Sequence, residues 1–559
     1  MDKMRVKVDG KEMEFDAQKS LLINLRAKGF SIPSMCYQEG LEAEARCRLC
    51  VVEIKGKLKT SCSTYPEEGM EILTSSDKVK RARRVNAELL FAEHRKCTNV
   101  AGHDNVCQMI DGIENIGSRF EPRKSYESEL GNAVIRDNNL CINCGRCVQV
   151  CAKVQATYAI DFAKRGHHEH VTPYFEHNLA DVACTKCGQC IAACPVGAIS
   201  EREHIPEVLR ALKDKKKTVI AQTAPSIRAS LGEEFGMEPG TLVKGKMVAA
   251  LHRCGFDKVF DTDLGADITI MEEASEFLER AKKGGPFPMI TTCCPAWIKC
   301  MEHFYHELIP NMSTCKSPHT MLGILIKKYY AKKEEIPEKD IVVVSIMPCT
   351  AKKFESTRPE LSGDVDYVLT TRETAKLIRL HNIDFRNLPD EEFDPALGIS
   401  TGAGVIFGAT GGVMEAALRT AYELGTGKSL TKTEFEQIRG MEGIKDGSII
   451  INGNEYRFAV ANGLAHAREL IKKKDDYHFI EIMACPGGCI GGGGQPLPVD
   501  QEILKKRMNA LYQEDALLPL RKSHENPIVK QIYAEFLDHP LSKKAEKLLH
   551  TRYTKRSQF

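Results

Sequence analysis

The 559-residue sequence has a single tryptophan, a formal net charge of only +2, and no apolar run of membrane-spanning length. A charge so close to neutral gives no electrostatic footprint for nucleic acid, so no nucleic-acid partner is expected. Ile341–Met347 is among the longest apolar runs, far short of the ~20 residues a spanning helix needs, so no membrane partner is expected either. Met1 to Phe15 mixes charges and lacks the apolar core of a secretion signal, which points to a cytoplasmic location. At 42% hydrophobic and 28% charged residues the composition excludes a disordered chain. The length exceeds what one core organises and predicts several domains.

Cysteine is what the sequence has in excess. There are 22, many of them two residues apart. Without a secretion signal, that spacing favours thiolates wrapped around metal clusters over disulfides.

The chain opens with a β-rich segment. Val6 and Val8 alternate with charges, Asp9-Gly10 supplies a hairpin turn, and Met13 and Phe15 continue the alternation. An amphipathic stretch, Leu21 to Lys28, stops at Gly29, and Lys78 to Phe91 reads as a helix leading into His94, Cys97 and Cys107. Beyond about residue 210, apolar β-branched runs alternate with helical patterns: Thr218–Gln222, Lys258–Phe260, Met289–Thr291, Ile341–Ile346 and Phe479–Met483. This predicts an α/β domain of mostly parallel sheets with flanking helices. Ligands of such sheets bind beyond the carboxyl ends of the strands, where Cys293-Cys294, Cys349 and Cys485 fall. Pro295 suits the first turn of the helix that follows. The expected division is 1–77, 78–126, 127–209 and 210–559.

Cys36, Cys47, Cys50 and Cys62 follow a C-x10-C-x2-C-x11-C order. A close pair with two flanking cysteines resembles a plant-type ferredoxin holding a 2Fe–2S cluster, although the gap before Cys47 is longer than usual. A structural zinc site uses the same donors. Cys141, Cys144, Cys147 and Cys151, then Cys184, Cys187, Cys190 and Cys194-Pro195, repeat the bacterial two-cluster ferredoxin run. In that arrangement the fourth cysteine of each run crosses over. Cys141, Cys144, Cys147 and Cys194 then hold one 4Fe–4S cube, and Cys184, Cys187, Cys190 and Cys151 the second.

Three further segments carry the chemistry: Thr291-Thr292-Cys293-Cys294-Pro295-Ala296-Trp297, Met347-Pro348-Cys349-Thr350-Ala351-Lys352-Lys353-Phe354-Glu355 and Met483-Ala484-Cys485-Pro486-Gly487-Gly488-Cys489. They resemble, in order, the signature motifs of the iron-only (FeFe) hydrogenases, and the resemblance covers nearly the whole chain. It implies an α/β catalytic domain behind N-terminal α+β ferredoxin-like domains. The implied activity is the interconversion of protons and hydrogen, with ferredoxin or a similar electron carrier and the hydrogenase maturation proteins as partners. The implied cofactor is an H-cluster. Its 4Fe–4S cube would sit on Cys294, Cys349, Cys485 and Cys489, with Cys489 bridging to a two-iron subsite that carries CO, cyanide and a dithiolate with an amine.

The same resemblance gives Lys352 to a cyanide ligand and makes Cys293 a proton donor rather than a ligand. Glu273, Ser313 and Glu276 become the path to the surface, and Pro225, Ser226, Met347, Phe407 and Met483 shape the pocket. By residue type alone, Lys352 reads as a surface lysine, Glu273 and Glu276 as solvated helix charges three residues apart, and the Met and Phe positions as plain core. The glycines at 487–488 and 491–494 let backbone approach a cluster.

Three positions depart from the family: His319 stands where Gln is usual, Pro486 where His or another residue is common, and Thr292 in place of Ser. Cys254, Cys300 and Cys315 read as small buried residues, and Cys315 lies two residues from Ser313. Many relatives bind a further 4Fe–4S cube through one His and three Cys. Here His94, Cys97 and Cys107 provide three ligands, with His103 and Asp104 in position to supply a fourth. Two other functions share these motifs. Hydrogen sensors usually carry an added domain, for which this chain has no spare length. Iron–sulfur scaffold or assembly factors typically lose part of the Cys293–Pro295 signature, which is intact here.

Overall fold

The computed structural model describes residues 3–94, 119–121 and 128–558, so Cys97, His103, Asp104 and Cys107 lie outside the described residues. The Asp9-Gly10 turn forms as the sequence predicts, with φ of 45° and 85°, joining β1 (Lys3–Val8) to β2 (Lys11–Asp16). With β3 (Val51–Ile54), β4 (Lys57–Thr60) and β5 (Met70–Leu73) they make one sheet ordered β2-β1-β5-β3-β4. The helix Leu21–Ala27 buries its leucines against the sheet, and the helix Asp77–Glu93, capped by Ser76, leads away to His94.

A second unit holds β6 (Glu129–Leu130), β7 (Val134–Arg136), β8 (Asp161–Ala163), β9 (His170–Thr172) and β10 (Ile199–Glu201). Its two cysteine runs fold alike. Each short helix, Arg146–Gln149 and Gln189–Ala193, starts from a left-handed glycine, Gly145 or Gly188. A side chain is disfavoured at such φ, so the repeat is written in backbone as well as in sulfur.

The remainder is α/β, as expected, and holds two sheets. β11 (Thr218–Thr223), β12 (Lys258–Asp261), β14 (Ile341–Met347) and β15 (Tyr367–Thr370) form a fully parallel sheet ordered β12-β11-β14-β15. β13 (Met289–Thr291), β18 (Phe479–Met483), β17 (Asn454–Asn462) and β16 (Ile444–Ile451) form the second. There β13, β18 and β17 run parallel, and β16 closes the edge as an antiparallel hairpin partner. The expected strands did not include β15 or this hairpin, whose β16 alternates exposed and buried residues as a half-solvated edge rather than an apolar run.

The helix Thr262–Lys283 packs between the layers, and most of its first half is buried. Gly265 allows the helix Pro318–Leu325 to approach, because a Cβ there would meet Pro318 O at 2.3 Å. Two residues on, Asp267 accepts hydrogen bonds from Thr401 N (3.1 Å) and Oγ1 (2.6 Å), Ser523 Oγ (2.7 Å) and Asn526 Nδ2 (2.9 Å). One carboxylate thus ties two distant segments to the helix. Asp267→Ala would leave these buried donors without an acceptor and is expected to destabilise the domain by about 3 kcal/mol. Anaerobic calorimetry should show a lower unfolding temperature, and an unchanged midpoint would mean that the hub contributes nothing.

Candidate active site

The described cysteines are all free. They gather into separate groups. Cys36 and Cys47 are hydrogen-bonded to each other, as are Cys50 and Cys62, and the Cys36 thiol draws Cys47 down to about 6. Cys141, Cys144, Cys147 and Cys194 line one cavity of about 380 Å³, and Cys151, Cys184, Cys187 and Cys190 line another of about 480 Å³. Each cavity therefore takes three cysteines from one run and the last from the other, which is the crossed arrangement.

A further cavity, of about 660 Å³, lies where the two sheets face each other. β11 delivers Pro225, β13 delivers Cys293 and Cys294, β14 delivers Met347 and Cys349, and β18 delivers Met483 and Cys485 to its wall. Cys489, Phe407, Lys352 and His319 complete it. Ser226 is buried next to Pro225 with its hydroxyl unpartnered, but it is not among the residues that line the cavity. Met347, Phe407 and Met483 are both core and cavity wall, so the two readings of these side chains coincide.

Burial pushes Cys349 up to about 12 and Cys294 and Cys485 above the ordinary thiol value. These three thiols, held neutral in an apolar cavity, make a poor site for water and, with Cys489 beside them, a suitable one for a metal–sulfide cluster, whose charge would ionise them. The donor set fits an iron–sulfur cube. Cys293 is different: its thiol hydrogen-bonds Cys489, and this bond, with burial, keeps it protonated. It also stands in the wall of a second cavity of about 340 Å³, shared with Thr292, Ser317, Lys316, Glu355 and Tyr553.

Lys352 is buried, which removes the surface-lysine reading. Its Nζ donates to Glu355 Oε2 at 2.8 Å, and the same oxygen accepts from His319 Nε2 at 2.5 Å and Ser317 Oγ at 3.1 Å. Burial works against charge here, but Lys352 and His319 hold the Glu355 carboxyl down at about 2, and Glu355 keeps Lys352 above the ordinary lysine value. Burial and the neighbouring Lys352 push His319 down to about 4, so at neutral pH it is an uncharged donor to Glu355. Its Nδ1 then accepts from Ser345 Oγ at 3.2 Å. Thr292 Oγ1 donates to Ile482 O and accepts from Cys294 N, tying the ends of β13 and β18 together.

Glu273 is also buried and is no solvated helix charge. Burial pushes its carboxyl up to about 7, against hydrogen bonds from Thr291 Oγ1 (2.7 and 2.6 Å) and Ser313. Ser313 Oγ reaches Glu276 Oε2 at 3.4 Å, and Glu276 Oε1 is paired with Arg280 at 2.6 Å near the surface. The sequence reading gave Glu355 no role although it closes the second motif, and it passed over Glu481. The latter is a lone carboxylate in the apolar strand β18, pushed by burial to about 7, that accepts from Gly411 N and Met414 N. A charge in the middle of such a strand was the available signal.

The fold and cavities define a multi-cluster iron–sulfur oxidoreductase with its active site between two parallel-stranded sheets. The model of the iron only hydrogenase large subunit, C-terminal domain, matches residues 217–493, and the iron hydrogenase small subunit matches 501–556. A 2Fe-2S iron-sulfur cluster binding domain matches 2–77 and a 4Fe-4S dicluster domain 140–198. The NADP-reducing hydrogenase subunit HndD of Solidesulfovibrio fructosivorans is 48% identical, with each chain covered in full. Iron hydrogenase 1 of Clostridium pasteurianum is 40% identical over 98% of this chain and 99% of that one. A structure of apo FeFe-hydrogenase HydA1 from Chlamydomonas reinhardtii superposes with a TM-score of 0.57 at 42% identity, covering 64% of this chain and 100% of the other. The chain belongs to the iron-only hydrogenases. It is an enzyme of hydrogen chemistry that carries an H-cluster domain, a 2Fe–2S domain and a 4Fe–4S dicluster domain. Among the described residues no helix is long and apolar enough to cross a membrane.

The Thr291 hydroxyl favours the ionised form of Glu273. Thr291→Val is therefore expected to raise the Glu273 pKa above its value of about 7. The carboxyl C=O infrared band of Glu273, assigned with Glu273→Gln, should persist to higher pH in the variant; an unmoved or lowered titration would refute the coupling.

Proposed function

We propose that the chain reversibly reduces protons to hydrogen at the cavity between the two sheets, with Cys294, Cys349, Cys485 and Cys489 as cube ligands. The observation that carries this is the convergence of these four thiols with Cys293 and Lys352 on one apolar space. When bound, the two-iron subsite supplies the open coordination position and the electrons for hydrogen chemistry. Lys352, fixed by Glu355, offers its remaining donors to a cyanide ligand, and Pro225, Ser226, Met347, Phe407 and Met483 exclude water around it. Cys293 holds a proton at Sγ, facing the cavity. Protons reach it from Glu276 through Ser313 and Glu273. The Ser313 hydroxyl passes its proton to Glu273 as it takes another from Glu276, and a bridging water covers the step to Cys293. A carboxyl near 7 suits this work, because it is found in both protonation states at neutral pH.

Electrons enter through a 2Fe–2S cluster on Cys36, Cys47, Cys50 and Cys62 and two cubes on the crossed cysteine sets. Gln189 Nε2 donates to Gly491 O at 2.8 Å and Thr350 Oγ1 to Lys186 O at 2.7 Å, so the second dicluster cavity abuts the active site. Ferredoxin, a similar carrier or a partner subunit would deliver them, as the relative named as a subunit of an NADP-reducing hydrogenase suggests. Hydrogenase maturation proteins would install the two-iron subsite. Free thiols in place of disulfides suit a cytoplasmic location. The chain divides, in this reading, at 77/78, 126/127 and 209/210, so that each cluster set has a unit of its own.

His94 supports a further cube with Cys97 and Cys107. It is buried, and its Nδ1 bonds Leu140 O at 2.8 Å, next to the ligand Cys141, which leaves Nε2 for iron.

Cys293→Ala should assemble its clusters, keep the CO and cyanide infrared bands, and lose about 100-fold or more of turnover with a reduced dye. Glu276→Gln should show a similar or smaller loss. Near-normal turnover in both would disprove the proton path; missing infrared bands in fully iron-loaded wild type would disprove the site. The His94 cube predicts about 20 irons per matured chain against about 16 without it. A count at the lower figure, with His94→Ala leaving the reduced-state EPR spectrum unchanged, would rule that cube out.

A further inference from the structure

At the outer end of the proposed proton path, three potential metal ligands of different chemistry meet. One ligand atom each from Glu276, Cys315 and His550 lies within 4.8 Å of the other two. The only other such group among the described residues, Glu423, His524 and Glu525, contains no sulfur.

The backbone fixes two of the three. Cys315 and His550 face each other across an antiparallel bridge, closed by Lys316 N to Leu549 O at 2.8 Å and Thr551 N to Thr314 O at 2.7 Å. Directly opposed residues bring their side chains together. Glu276 arrives from the helix Thr262–Lys283, and its two oxygens are used unequally. Oε1 is engaged by Arg280 at 2.6 Å, whereas Oε2 has Ser313 Oγ and Thr314 N, both at the long distance of 3.4 Å.

His550 is oriented as a metal-binding histidine is. Its Nε2 bonds Glu272 Oε2 at 3.1 Å, and Glu272 is itself fixed by Tyr533 Oη at 2.5 Å and Leu541 N at 2.8 Å. A carboxylate on one ring nitrogen sets the tautomer and leaves the other nitrogen as a lone pair. That nitrogen, Nδ1, meets only a partly exposed hydroxyl, Thr314 Oγ1 at 2.7 Å, which can turn to water. Glu272, Glu273 and Glu276 surround the Cys315 thiol with negative charge, which a cation would offset.

We propose that Glu276 Oε2, Cys315 Sγ and His550 Nδ1 form a binding site for a divalent cation of the zinc class, whose occupancy closes the proton path. One thiolate, one imidazole and one carboxylate suit a borderline-soft ion, with water in the fourth position. Tetrahedral zinc holds sulfur and nitrogen ligands about 3.5 Å apart, so small side-chain rotations complete the site. A cation on Glu276 Oε2 occupies the oxygen that faces Ser313 Oγ, so that oxygen is no longer free to pass a proton to it. The closure rests on the proton path proposed above; the site itself does not.

The test uses fully matured, iron-replete enzyme titrated with zinc sulfate in metal-free buffer. Hydrogen evolution from a reduced dye is followed, and zinc K-edge absorption is measured at one equivalent. The expected result is one sulfur at about 2.3 Å among nitrogen and oxygen neighbours. Turnover should fall at least tenfold and recover with a chelator. In Cys315→Ala the sulfur neighbour should vanish, and inhibition, relative to that variant's own zinc-free rate, should need at least tenfold more zinc. Wild type without a sulfur neighbour, or equal inhibition of Cys315→Ala, overturns the proposal. Zinc held through sulfur without inhibition overturns the closure. Glu276→Gln then separates the causes, since full turnover in that variant places the fault in the proton path.

Discussion

Everything in the catalytic half depends on one difficulty, the collection of several anionic sulfur donors in an apolar space. In low dielectric such groups repel one another and resist ionisation, as the raised thiols of Cys294, Cys349 and Cys485 show. The protein separates the tasks. Strand ends from two sheets set the positions, so no ligand depends on a long loop. A single buried cation, Lys352, offers positive charge at the wall. That lysine needs Glu355, and Glu355 needs donors of its own, which His319 and Ser317 supply. The chain of dependence ends on a neutral imidazole, so the one positive group of the wall is matched by one carboxylate behind it and no surplus charge remains.

The departure at His319 is best understood in this light. A histidine there donates from Nε2 while its other nitrogen accepts from Ser345, so its ring is fixed at both edges. Gln222 ties the backbone of His319 to the same serine, with Nε2 at 2.9 Å from His319 O and 2.8 Å from Ser345 Oγ. The position therefore works through Glu355 and Lys352 rather than by changing the shape of the cavity alone. Thr292 and Pro486 act elsewhere. Thr292 fastens two strand ends, and Pro486 is absent from the cavity wall.

Much of this was legible in the sequence because cysteine spacing and strand endings are local signals. Cys293, Cys349 and Cys485 each follow an apolar run with β-branched residues, and all three strands end where expected or within a residue of it. The division into two sheets was not legible, because β16 alternates exposed and buried residues and its pairing with β17 is decided by tertiary contact. Burial of Glu273 and Lys352 was equally hidden. A charged residue on a helix reads as solvated until the neighbouring layers are known. The resemblance to a family suggested their roles; the packing of the helix Thr262–Lys283 buries Glu273, and the helix Ala351–Glu355 buries Lys352. His94 lies between the two cases, with its own anchor described and its neighbours Cys97 and Cys107 outside the described residues.

The meeting of the dicluster unit with the active site has a consequence for speed. A Cβ on Gly493 would lie 2.5 Å from Cys187 O and 2.6 Å from Gly188 Cα, so main chain rests on main chain with no side chain between. Electron tunnelling weakens exponentially with the gap it crosses. Here the approach of the two backbones is set by van der Waals contact at two glycines, so it does not vary with rotamers or with the identity of side chains nearby. Mutational drift can alter side chains on either side of this junction while leaving the spacing of the two backbones unchanged.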